Sequence, residues 1–122
     1  MGNIKDRFNN ILKEINRSCS LEQEIIILNI LKFLQNKKID ISILPQEHLA
    51  MFINHLLVLF SRLDSNEILE MEYLDIMFAE LKKESVDISR EVILIINELY
   101  NNKISESEVF LVATHVENML NQ

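Results

Sequence analysis

Ile104–Leu120 reads ISESEVFLVATHVENML. Ser105, followed three residues on by Glu108, has the form of a capping box, in which each side chain satisfies a free amide of a helix start. Val109, Val112, Val116 and Met119 then recur at 3, 4 and 3, the spacing of a single apolar helix stripe. His115 falls beside that stripe, one turn past Leu111. A lone imidazole at the edge of a buried face is the chemical oddity of the segment. Alone it assigns no function.

Working outward, the helical period recurs along the chain. Residues 3–16 predict an amphipathic helix, with Ile4, Phe8, Ile11, Leu12 and Ile15 on one side. Arg17-Ser18-Cys19 breaks it, and Ser20 with Gln23 forms a second capping box opening a helix to about Asn36. The apolar residues of that helix go most of the way round, which predicts a central, multiply packed element. In Lys37–Leu44 the isoleucines 39, 41 and 43 alternate with Asp40 and Ser42, the mark of an extended, apolar-anchored connection. Pro45 suits a first helical position, and the helix it starts should run to about Leu63. Asp64-Ser65-Asn66-Glu67 is a turn. A fourth helix to about Lys83 carries Met71, Leu74, Phe78 and Leu81. Asp87 or Ser89 can cap a fifth, with Val92, Leu94, Ile95, Ile96, Leu99 and Tyr100, which Asn101-Asn102-Lys103 ends. The expectation is an all-α fold: a compact bundle of about five to six helices in a single domain, residues 1–122.

Composition agrees. At 48% apolar and 25% charged residues, the 122-residue chain is suited to burying a core. One glycine and one proline are too few for a fold built on tight β-turns. A formal charge of −7 argues against nucleic acid, since no cation surplus exists to displace counterions, and equally against an anionic membrane surface. The single cysteine, Cys19, cannot form an internal disulfide, and no apolar run has spanning length or the form of a signal peptide. The expected location is cytoplasmic.

Three histidines hold what chemical interest there is. His48 lies in the first turn after Pro45, where free amides and the positive end of the helix dipole would stabilise an anion. His55 follows seven residues later on the same face, too far along for both to hold one metal ion unless a third element bends in. His48 and His115, taken singly, are more simply read as satisfied helix histidines. There is no CxxC, HExxH, glycine-rich phosphate loop or GxSxG elbow, so structural zinc, a cofactor and hydrolytic catalysis all lack a footing. The carboxylates at 22 and 24, and at 67 and 70, look like solvated helix faces; Met71, Met77 and Met119 look like core filling.

Two stretches together change this. Glu47-His48-Leu49-Ala50-Met51-Phe52-Ile53 resembles the first histidine motif of the PTS regulation domain (PRD) family, a histidine after an acidic residue leading into an apolar helix. Residues 104–116, ISESEVFLVATHV, resemble the second, in which a glutamate and an apolar run lead to a histidine. The resemblance spans about 21–122, with the helix over 3–16 as an extension. Glu47 stands where aspartate is common, and His55 where the family often has arginine.

That resemblance implies a helical module, usually dimeric, whose histidines accept phosphate from sugar phosphotransferase proteins. Carried over to this chain, His48 and His115 are the phosphoacceptors, with Glu47, His55 and Glu108 supporting the phosphate. The donor would be the phosphocarrier HPr or a transporter B subunit. A homodimer is expected, and control would act on dimerisation or on binding to a transcriptional regulator. With no room for a nucleic-acid-binding or transporter-like domain, the expectation is a free-standing regulation domain. The donor would do the catalysis, so the chain itself is read as no enzyme. A constitutive helical adaptor with inert histidines is the alternative, and a metal protein using all three histidines a third reading.

Overall fold

The computed structural model describes residues 3–101 and 104–122. Among them are six helices: α1 (Ile4–Glu14), α2 (Leu21–Gln35), α3 (Gln46–Asp64), α4 (Leu74–Ala79), α5 (Lys83–Asn97) and α6 (Glu106–Leu120). The fold is all-α, with no strand among the described residues. α6 packs most extensively on α5 and then on α3, while α2 touches α1, α3 and α5. Phe8 and Ile11 of α1 share one buried cluster with α2, α3, α5 and α6. Phe8, Phe52 and Phe60 lose essentially all contact with solvent, each worth about 2–3 kcal/mol of burial.

Local chemistry explains most boundaries. Asn3 caps α1 through the Asp6 amide at 2.7 Å, and Ser20 with Gln23 closes the expected capping box on α2. Pro45 sits one position earlier than expected, at the N-cap of α3, where its carbonyl accepts from the His48 and Leu49 amides. With no glycine to close the helix ends, other residues adopt the left-handed region: Asn16 (φ 54°) after α1, Lys38 (φ 70°) after α2 and Asn66 (φ 56°) after α3. The amides that follow reach back to Leu12, Leu34 and Arg62 carbonyls, the Schellman closure normally given to glycine.

Several expectations need correction. The helix over about 68–83 shrinks to α4, because Tyr73 (φ 62°) turns the chain into the left-handed region just before Leu74. The preceding segment is instead bound to the start of α6: Ser105 Oγ donates to the Leu69 carbonyl (2.7 Å) and the Met71 amide donates to Ser107 Oγ (2.8 Å). Residues 37–44 form successive turns; Ile39, Ile41 and Leu44 are buried, but Ile43 is 77% exposed, so the alternation fails at its last member. On α2 the apolar ring is incomplete, with Leu21 and Ile25 facing solvent.

α5 begins at Lys83, not after Asp87 or Ser89. Its cap comes from another helix: Glu117 Oε1 of α6 accepts from the Lys82 amide (2.7 Å) and the Ser85 hydroxyl (2.9 Å). Ser89 is fully buried and donates to the Val109 carbonyl at 2.7 Å. α5 ends at Asn97, ahead of the expected stop; Asn102 and Lys103 of that stop lie outside the described residues.

Candidate functional site

The contact between α3 and α6 is built from two polar pairs set in a mostly apolar seam. At one, Arg62 donates from Nε and Nη2 to the Glu108 carboxylate at 2.7 and 2.8 Å. Glu108 is almost wholly buried, with only 3% of its side chain exposed, and Arg62 keeps 19%. This pairing corrects the capping box expected at Ser105: Ser105 Oγ does accept from the Glu108 amide (3.4 Å), but the Glu108 side chain faces α3 instead of its own helix start. A carboxylate this buried requires a cation, and only a planar guanidinium offers two parallel donors. Glu108 and the apolar residues beside it raise the proton affinity of Arg62 and lower it respectively, with the Glu108 hydrogen bonds the larger influence, so its charge is fixed.

At the other pair, His55 and His115 stand ring against ring, centroids 4.8 Å apart and planes 32° from parallel. Phe52, one turn before His55, meets His115 at 6.2 Å. The pairs share a register. His55 precedes Arg62 by seven residues and Glu108 precedes His115 by seven, so α3 and α6 run antiparallel and meet twice, about two turns apart. That equality of spacing is the signal from which Arg62, a residue not singled out from the sequence, could have been found.

Electrostatics set the charge of the imidazoles. Burial, then the neighbouring His115 and Arg62, push His55 down to about 4. Burial pushes His115 below its ordinary value as well. Both rings are therefore neutral at pH 7, and each keeps an unprotonated nitrogen with a free lone pair. His55 Nε2 is sheltered from water and has no hydrogen-bond partner. Leaving such an atom unmatched costs about 1–3 kcal/mol.

His48 occupies the third position of α3, half-buried, with Glu47 exposed before it. Seven residues from His55, it lies about 10 Å back along the helix axis, so His115 is brought to His55 and not to His48. Met51, on the same side of α3 between the two histidines, is 57% exposed. Cys19 is partly buried, and its thiol is pushed up by burial and by Glu24, away from thiolate reactivity.

No group of three or more potential metal ligands occurs among the described residues. Clefts lie elsewhere, two of them beside α1 and α4. One of about 280 Å³ is formed between α1 and residues 41–46, where Arg7 donates to the carbonyls of Ile41 and Leu44. Another of about 630 Å³ is lined by α4, α5 and Glu106. Neither includes a histidine. None of the described helices is long and apolar enough to cross a membrane.

Comparison with curated proteins and with solved structures returns no match. Comparison with protein families matches residues 24–119 to the PRD domain. The matched region starts after α1 and takes in His48, His55, Arg62, Glu108 and His115, both polar pairs of the α3–α6 seam included. Spanning most of the 122 residues, that match makes the chain a member of the PRD domain family.

Proposed function

We propose that this PRD domain is a phosphorylation-responsive interaction module of the sugar phosphotransferase system, accepting phosphate on His115 and His48. The observation that carries the reading is the neutral, half-buried imidazole of His115, held by Phe52 and His55 within the PRD match. Phosphoryl acceptance needs an unprotonated ring nitrogen with its lone pair free, and burial keeps His115 in that form at pH 7. His115 is only half-buried, which leaves room for a donor protein to approach it. HPr or a transporter B subunit would supply the phosphate and the catalysis. This chain would be substrate and switch, not enzyme.

Phosphate would add up to about two negative charges to a chain already at −7. In this reading the side of α3 that carries His48 and exposed Met51 would face a second copy or a regulator. Two unit charges about 4 Å apart interact by roughly 4 kcal/mol at an effective dielectric near 20, enough to shift a dimer equilibrium. In this reading Glu47, next to His48 in sequence, and His55, beside His115, would be the remaining supporting groups. Glu108 would act indirectly, by fixing Arg62.

The test is phosphotransfer. The chain is incubated with phosphoenolpyruvate, enzyme I and HPr, and its intact mass followed beside His48→Ala and His115→Ala. An acid-labile phosphate lost with one substitution names the site. No transfer from HPr, nor from a phosphorylated B subunit, would sink the proposal in favour of a helical adaptor with inert histidines.

A further inference from the structure

We infer that phosphorylation of His115 draws a proton onto His55, which then becomes the cation that holds the phosphoryl group. The inference rests on the proposed role of His115 and adds a proton to it. His55 is in ring contact with His115 and carries a shielded Nε2 with no partner. A protonated imidazole donates from both nitrogens, so a phosphoryl oxygen beside His55 would find a charge-assisted donor where the unphosphorylated chain has an unmatched atom.

The surrounding charges leave this task to His55. From α6, His115 faces it directly; from its own helix, Arg62 acts on it but is already bound through two nitrogens to Glu108 of α6. The α1–α2 connection brings Arg17 only to Asn54, through an exposed 3.2 Å hydrogen bond, and α2 reaches the far end of α3 through Gln23 and Asp64. In the unphosphorylated chain His55 is neutral, its ordinary proton affinity suppressed to a pKa of about 4. Holding a proton at pH 7 requires about a thousandfold gain in affinity. One full negative charge at about 4 Å, at an effective dielectric near 20, provides about that factor. A phosphoryl group brings up to about two.

The transfer itself moves no proton. A ring lone pair of neutral His115 forms the new P–N bond while the P–N bond of the donor breaks, and the donor imidazole leaves with that electron pair. The new bond leaves the His115 ring cationic; it gives up its remaining N–H proton, and His55 takes up one from that ring or from water. His55 is a positioning residue in this scheme. Its effect is that, beyond the acid lability of any phosphohistidine, phosphoryl retention on His115 falls as pH rises and His55 gives up its proton, whereas a fixed cation at position 55 would add no such alkaline loss.

The experiment phosphorylates the full chain with phosphoramidate, assigns sites by intact mass with the His48→Ala and His115→Ala variants, and titrates His55 by side-chain ¹H–¹⁵N NMR. With phosphate on His115, His55 should remain protonated past pH 7, a shift of more than a thousandfold in proton affinity. Phosphate on His115 with His55 still titrating near 4 would overturn the inference and leave the proposed function intact. Failure of both phosphoramidate and phosphorylated HPr to modify His115 would overturn the His115 assignment, and the inference with it. Phosphate lifetime against pH supplies a second readout. The wild type should lose retention as pH rises past the new His55 titration, His55→Arg should not, and His55→Gln should be short-lived throughout. Identical profiles for wild type and His55→Gln would also overturn it.

Discussion

The neutral His55 should make the domain lose stability in mildly acidic solution, before any carboxylate contributes. In the unfolded chain the imidazole titrates near 6.5; in the fold it resists protonation down to about 4. Between those values the unfolded chain binds a proton that the folded chain refuses, so acid favours unfolding. The stability tied to this group is complete above pH 6.5 and is lost as pH falls toward 4. Integrated from pH 7 to pH 5, the loss is about 2 kcal/mol, and His115, lowered by burial, adds in the same direction. For a chain of this length that corresponds to a fall of about 8 °C in Tm, or about 1 M in the urea midpoint. Asp40 and Glu106, whose carboxyls are held below their ordinary values, surrender their contributions at lower pH and do not confuse this window. Urea unfolding followed by circular dichroism at pH 7 and pH 5, for wild type and His55→Gln, isolates the effect. The variant should lose distinctly less between the two pH values, the remainder belonging to His115. Equal losses in both proteins would show that His55 is hydrated in solution and that its contact with His115 is loose.

Breaking the other pair should be costly. Glu108→Ala leaves the Arg62 guanidinium without its buried partner and should destabilise the domain by about 3–5 kcal/mol in urea unfolding, while Arg62→Met with Glu108→Leu should recover much of the loss; a cost below about 1 kcal/mol would mean a solvated pair. Lys38→Gly should stabilise by about 0.5–1 kcal/mol, because glycine holds the left-handed conformation without steric cost and the Lys38–Glu84 contact it removes is an exposed one at 3.6 Å. If the domain self-associates through the histidine side of α3, Met51→Asp should shift it toward monomer in sedimentation equilibrium without lowering Tm, since Met51 is exposed.

Helices whose boundaries are encoded within a few residues were legible in the sequence: the amphipathic first helix, the Ser20–Gln23 box and the long apolar stripes of α3 and α6 all read correctly. Boundaries set by distant residues were not. α5 starts early because Glu117, more than thirty positions away, caps it, and no local pattern around Lys82 announces this. The 68–73 segment reads as helix by spacing, yet Ser105 and Ser107 bind its backbone instead. The site shows the same division. Its histidines were visible one by one, but the contact of His55 with His115 depends on the α3–α6 crossing. The Ser105–Glu108 signature matched a capping box so well that it hid the use of Glu108 as a buried anion for Arg62.

That crossing also bears on whether the two candidate acceptors act together. The ring pair and the ion pair fix α3 against α6 in antiparallel register, leaving His48 about 10 Å from the His55–His115 contact. Ten ångströms is about one Debye length at physiological salt, so dianionic groups at His48 and His115 would repel through screened solvent by roughly 0.5–1 kcal/mol. A penalty of that size changes the second affinity only a few-fold. Under phosphotransfer to partial occupancy, the intact-mass distribution should therefore contain the doubly phosphorylated chain at no less than about a fifth of the frequency expected for independent sites. Singly phosphorylated chains at both positions with the double form missing would contradict this register. They would mean that His48 and His115 are brought together, within one chain or across a dimer, far more closely than the α3–α6 seam allows.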